Sequence, residues 1–328
     1  MNPTMLSSPR KVVRYLKKQE EREVKRRRKA ARKAQRHAQL VANALEMPPP
    51  DSNVIHRLQN LAEEWSSELA VERKGLRAEL TDNLEGTLLQ QRGFQDWYLS
   101  EPTGSKFKWV PFPADYFQGQ VTYTSPMGQA KAKYKPLSSP VSKDKENDLK
   151  CNRFALDLMA VEGFNWKEEY WDLNSAYLLI GAMYEVPGSM ISQSGIMDIV
   201  PLNQIAGIVW GQSFADLFSP LGKISAGAWI NETCVAVGQT YGKGGGILGT
   251  NFSRSLFSKE GKNIQFNTAI SEHFASNWLI NKYSVPVVQG VGLKIYTYTT
   301  FDCDAFGVGS GAGMQLNFES SGLLLQVP

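Results

Sequence analysis

The chain has 328 residues, 42% hydrophobic and 21% charged, the composition of a globular protein long enough for two domains or one domain with extensions. Its three cysteines, Cys151, Cys234 and Cys303, are far apart, odd in number and without a CxxC pair, which argues against a disulfide framework and a zinc site. The net charge of +4 hides an asymmetry: residues 1–46 carry fourteen Lys and Arg against four Glu, and the remainder carries twenty-two basic and twenty-eight acidic residues.

From Pro9 to Glu46 the residues favour a helix, because Lys, Arg, Gln, Glu and Ala dominate. Glu21–Lys25 and Glu23–Arg27 add i,i+4 pairs in the favourable order. Val12, Val13 and Leu16 cluster at one end and Leu40, Val41 and Leu45 at the other; between them the only large apolar residue is Val24. A helix without an apolar face stays solvated or finds a face on a partner. Its densest stretch, KRRRKAARKAQRHAQ, holds Lys25, Arg26, Arg27, Arg28, Lys29, Arg32, Lys33 and Arg36. Like charges at this density repel one another, and a polyanion relieves that repulsion while releasing its own counterions. These residues are therefore the expected nucleic-acid contacts. KRRRK also has the composition of a nuclear import signal. Attraction to an anionic membrane is the weaker alternative, since the segment lacks a Trp, Phe or Leu face. Met47-Pro-Pro-Pro closes this arm, residues 1–50.

Residues 51–99 predict an amphipathic helix or helix pair. Val54, Leu58, Leu61, Trp65 and Leu69 recur at three- and four-residue steps, and Leu76, Leu80, Leu84 and Leu88 continue the stripe. Such a stripe packs on its own protein or offers a coiled-coil surface. Residues 100–150 alternate aromatics, prolines and polar runs and predict an extended linker, with a short strand at QVTYTSP.

Residues 151–220 predict helices. CNRFALDLMAVEG places Phe154, Leu158 and Val161 on one helical face; Asn165 and Glu168 have capping-box spacing ahead of a second helix; a third runs from about Leu202 to Phe218. The longest apolar stretch, Ile199 to Ala215, contains Pro201, Asn203, Gln204 and Gln212, so no transmembrane helix is expected. The N-terminus lacks the apolar core of a secretory signal.

Residues 221–328 predict Gly-rich antiparallel β structure, a barrel or sandwich. They hold sixteen of the twenty-eight glycines and only thirteen charged residues, and AWINETCVAVG, NIQFNTAI, VPVVQGVGLKIYTYTTF and GLLLQV read as strands. So few charges suggest burial in a closed sheet or against other subunits. The expected class is thus α+β, with a basic helical arm, a helical middle and a β-rich end.

Catalytic motifs are weak. GQTYGKGGG lacks the spacing of a phosphate loop, with three residues between Gly238 and Gly242 and Gly244 after Lys243. KCNRFALDLM sets Cys151 at the start of a predicted helix, where the dipole would favour a thiolate. This string resembles the nucleophile helix of papain-like cysteine hydrolases of the NlpC/P60 and CHAP type. The resemblance implies His273 as base and Asn277 as its orienter. A buried structural cysteine is the alternative. No cofactor motif and no metal-ligand cluster is evident.

Basic arm, helical middle and charge-poor β end together resemble, in organisation, viral coat and internal virion proteins, and also ribonucleoprotein components. That resemblance implies a non-enzymatic structural protein of a virion, or of another assembly in host cytoplasm or nucleus. Its arm would contact nucleic acid. Its β region would form a homo-oligomer or larger assembly, with the 51–99 helix as a second contact. A cysteine hydrolase with a basic targeting arm and a helical scaffold are the alternatives.

Overall fold

The computed structural model describes ten residues between positions 14 and 29, and then residues 107–113, 115–125, 128–137, 152–162, 173–213, 225–238, 249–262, 264–273, 282–307 and 309–328. The ten arm residues are helical. The rest is built from twelve strands and a 3-10 turn at Gly188–Met190. In chain order the strands are β1 (Phe107–Pro111), β2 (Phe117–Tyr123), β3 (Gln129–Leu137), β4 (Asn152–Val161), β5 (Leu173–Val186) and β6 (Gly195–Gln212). They continue with β7 (Ser225–Gly238), β8 (Gly249–Gly261), β9 (Gln265–His273), β10 (Tyr283–Val287), β11 (Leu293–Phe306) and β12 (Gly311–Gln326).

Every pairing is antiparallel. One sheet has the order β2-β5-β11-β7-β8. The other runs β10-β6-β12-β4-β3, with β9 also on β6 and β1 also on β12. The two sheets face each other across a core in which Leu178, Ile180, Ile230 and Phe301 of the first meet Phe154, Leu158, Met314 and Phe318 of the second. Phe318 is the centre of an aromatic group, stacked on Phe154 at 6.2 Å and edge-on to Phe301 at 5.7 Å.

This overturns the α+β expectation: the body is a β-sandwich, and the helices expected over 151–220 are β4, β5 and β6. The physical reason differs for each. In β4 the inward residues are Phe154, Leu156, Leu158 and Ala160. The pair Phe154 and Leu158, four apart, satisfies both a helical and a strand period. In β5 and β6 the outer face is buried as well as the inner one, so no alternation survives in the sequence. Leu179 on the outer face of β5 is 1% exposed and Tyr296, in the same cluster on β11, is 0% exposed. On the outer face of β6, Trp210 lies over Gly313 and Gly311 of β12, where an added Cβ would meet the indole.

Pro201 sits inside the central strand β6, where a missing N–H normally excludes proline. Here it falls in a gap. β10 pairs with residues 195–199 of β6 and β9 with residues 204–212, so Pro201 needs a ladder partner on the β12 side only. On that side β12 has a register shift between Ser320 and Leu323. The shift is centred on Gly322, whose φ of +113° and close approach to the Val110 carbonyl both require glycine. There β12 exchanges β4 for β1 as its neighbour.

The segment expected to be a linker supplies β1, β2 and β3. On the edge strand β3, Ala130, Ala132 and Tyr134 pack on the core, while Lys131, Lys133 and Lys135 alternate with them on the outer face. Lysines and Pro136 on an edge discourage pairing with another chain. The strands expected after Leu221 coincide with β7, β9, β10, β11 and β12. The 51–99 segment lies outside the described residues; among those residues there is no coiled coil and no helical middle region, and both expectations are withdrawn.

Candidate functional site

The arm helix lies against the body through one apolar side chain. Val24 is fully buried, in a cluster with Leu173 and Phe306 and with Tyr123 packed beside it. Leu173 and Phe306 are directly opposed residues of β5 and β11. Lys17, Glu21 and Val24 follow helical i, i+4, i+7 spacing, and Lys17 and Glu21 are half-buried on that same face. Arg14, Lys18, Arg22, Lys25 and Lys29 step by four, four, three and four residues, and all are exposed. Of the expected nucleic-acid contacts, Lys25, Arg26 and Lys29 are helical and exposed. Arg27, Arg28, Arg32, Lys33 and Arg36 lie outside the described residues.

The ends of the strands that carry Leu173 and Phe306 are fixed by a buried polar clamp. Ser125 Oγ donates to Glu162 Oε2 at 2.8 Å, the Asn174 side-chain amide donates to the same oxygen, and Asn174 Oδ1 accepts the Ser125 N–H at 2.7 Å. The Glu162 N–H donates to the Ser310 carbonyl at 2.9 Å, and the Ser310 hydroxyl donates to the Gly307 carbonyl at 2.6 Å. Gly307 has φ of +84°, which lets the chain turn from β11 into β12 immediately after Phe306.

A second buried carboxylate sits between the sheets. Glu232 of β7 is 0% exposed; its Oε2 accepts Asn203 Nδ2 from β6 at 2.8 Å, and its Oε1 accepts Arg254 Nη2 from β8 at 2.6 Å and the Tyr283 hydroxyl from β10 at 2.9 Å. The Arg254 guanidinium also lies 5.3 Å from the centre of the Tyr283 ring. Burial pushes the Glu232 carboxyl up, while Arg254, Asn203 and Tyr283 pull it back. Four strands of both sheets converge on one group whose oxygens are occupied by donors of the protein itself. That is the arrangement of a structural pin. Cys234 follows on the same inward face, and burial together with the Glu232 charge holds its thiol far above the ordinary range.

Of the hydrolase constellation only His273 lies within the described residues. Cys151 and Asn277 lie outside the described residues. His273 is the last residue of β9, opposite Gln204 on β6. The segment that follows Cys151 is strand β4, so the helix dipole invoked to activate the thiol is absent. Cys303 points into the core and its neighbours Asp302 and Asp304 face outward on β11. Among the described residues no group of three or more His, Cys, Asp or Glu could hold a metal ion, and no helix is long and apolar enough to cross a membrane.

Sequence reasoning missed Glu232 and the role of Val24. Each left a trace: Glu232 is the one acidic residue of the apolar strand AWINETCVAVG, and Val24 is the one large apolar residue in the middle of the arm.

No protein-family model matches the chain, and no curated protein matches it. Among solved structures it is similar to TmCBM61 in complex with β-1,4-galactotriose, at 11% identity and a TM-score of 0.18, covering 62% of this chain and 90% of that one. The family 11 carbohydrate-binding module of the cellulosomal cellulase Lic26A-Cel5E of Clostridium thermocellum matches at 8% identity and a TM-score of 0.19, covering 69% and 97%. The enzymatically active domain of bacteriophage CBA120 tailspike protein 4 matches at 5% identity and a TM-score of 0.17, covering 63% and 19%. At these scores none of the likenesses carries an argument about ligand or activity. The comparisons give no support to the virion and capsid expectation or to nucleic-acid binding.

Proposed function

We propose that the chain is a non-enzymatic binding and assembly protein, in which the sandwich holds a cationic helix toward a phosphate polyanion, with nucleic acid as that polyanion. One observation carries this: Arg14, Lys18, Arg22, Lys25 and Lys29 are exposed along the face of a helix that Val24 fastens to the body. A row of exposed cations on an ordered element neutralises successive phosphates and releases their counterions. A non-catalytic role is supported by the occupied oxygens of Glu232 and by the burial of Cys234 and Cys303. The sandwich contributes a rigid mount for that helix.

The test is fluorescence anisotropy with a duplex oligonucleotide over a salt series. Contact with about five phosphates gives a log–log slope of about −4, and a full-length variant carrying Lys18→Ala, Arg22→Ala, Lys25→Ala and Lys29→Ala is expected to flatten it to about −1. Equal affinity of the two proteins at about 50 mM salt would remove the cationic face as the binding element.

A further inference from the structure

Val24 poses a physical problem that nucleic-acid attraction alone does not answer. A basic arm that works as a tether needs no apolar residue, and a β-branched side chain is a poor choice within a helix of Lys, Arg and Glu. Yet Val24 is fully buried. Its receptor is well built. Leu173 and Phe306 are paired across β5 and β11, Tyr123 of β2 flanks them, and the Glu162–Asn174–Ser125 clamp with the Gly307 turn fixes the backbone on both sides. The half-buried neighbours Lys17 and Glu21 complete the docked face, and the exposed cations point elsewhere.

We infer that Leu173, Phe306 and Tyr123 form a docking site for the chain's own arm, with Val24 as its latch, and that docking presets the cationic helix for its polyanion. The coupling half of this rests on the function proposed above. A short helix dense in like charge is marginal by itself, because nucleation is unfavourable and its neighbours repel. Docking one face orders the helix while Lys18, Arg22, Lys25 and Lys29 stay exposed. A polyanion that prefers the ordered face then binds more tightly when the arm is docked, and by linkage it strengthens the docking in return. If only a fraction of the arms is ordered, the apparent affinity falls by that fraction. Val24 is thus a positioning residue: it touches no ligand and acts through the orientation of Lys18, Arg22, Lys25 and Lys29.

The experiment uses the full-length chain with Val24→Ser and Val24→Ile, and two readouts. The first is the rate at which trypsin cleaves after the Lys and Arg residues of the arm in the absence of nucleic acid. It is expected to rise several-fold in Val24→Ser and to stay near wild type in Val24→Ile. The second is duplex affinity at fixed low salt. Val24→Ser is expected to bind about five- to tenfold more weakly, because fewer arms are ordered, with an unchanged salt slope, because the phosphates contacted are the same. Val24→Ile is expected to restore both. Identical cleavage rates in all three proteins would overturn the docking site. Faster cleavage with equal or tighter binding would overturn the coupling and make the contact inhibitory. A wild-type chain that fails to bind duplex would sink the proposed function and the coupling together, while the cleavage rates would still decide whether the latch exists.

Discussion

Asn203 of one sheet donates its Nδ2–H to Glu232 Oε2 of the other across 2.8 Å, and both side chains are buried. The bond bridges the two layers and lies next to the gap between β10 and β9 that admits Pro201. Glu232 also receives Arg254 and Tyr283, so four strands depend on one carboxylate. Glu232→Ala leaves three donors facing an apolar hole. Breaking a buried pair in this way costs about 3–5 kcal/mol, a fall in Tm of about 10 °C for a chain of this size. Glu232→Gln keeps the shape and an acceptor oxygen and is expected to lose less. Thermal unfolding of both variants checks the order; equal losses would mean that the charge, and not the shape, decides stability at this position.

Gly322 carries the register shift of β12. With φ at +113° and the Val110 carbonyl where a Cβ would stand, Gly322→Ala meets both backbone strain and a clash. The substitution is expected to cost well over about 1 kcal/mol, more than the usual gain from removing a glycine's freedom in the unfolded chain. Urea midpoints of wild type and variant measure it. A stabilised variant would show that the bulge is not held as described.

Asp198 of β6 accepts Lys282 Nζ at 2.7 Å and Ser284 Oγ at 2.6 Å from the β10 side. Partial burial raises its carboxyl pKa, but the Lys282 and Ser284 hydrogen bonds and the Lys282 charge outweigh that and hold it below the usual range. A carboxyl depressed in the folded state adds stability that is present above its unfolded value of about 3.9 and is lost as pH falls through the folded one. Both partners are partly exposed, so the contribution is at most about 1 kcal/mol. The difference in stability between wild type and Asp198→Asn, read from urea curves, should therefore shrink between pH 6 and pH 3. A constant difference across that range contradicts the assignment.

Cys234 and Cys303 are both buried, and burial pushes both thiols up. Neither is expected to react with an alkylating reagent at pH 7 within the time that free cysteine is consumed. In denaturant both should react fully. Mass spectrometry of the alkylated peptides resolves each site, and rapid labelling of either one in the native protein would place it at an accessible surface.

The expected helices and the observed strands differ most where the chain is buried on both sides. β11 was legible because LKIYTYTTF alternates polar and apolar residues even though both faces end up covered. β5 was not, because LLIGAM offers apolar residues to both faces and the period disappears. β3 was legible only as a polar stretch, since its lysines mark an edge that cannot be recognised as one until its neighbour β4 is in place.

The sequence by itself determined the charge asymmetry and the isolation of Val24, because both are properties of order along the chain. It also determined the glycine-rich, charge-poor strands that follow Leu221, since their composition suits a buried sheet and little else. Only the tertiary structure decided that residues 152–213 join that sheet, that Pro201 falls in a gap between two partners, and that Glu232 gathers donors from strands up to 51 positions away. It also decided that Val24 has a pocket at all, because Leu173 and Phe306 are separated by most of the body and meet only through the pairing of β5 with β11. Burial on two faces and contact between distant strands leave no local period in the sequence, so neither could be read before the sheets had closed on each other.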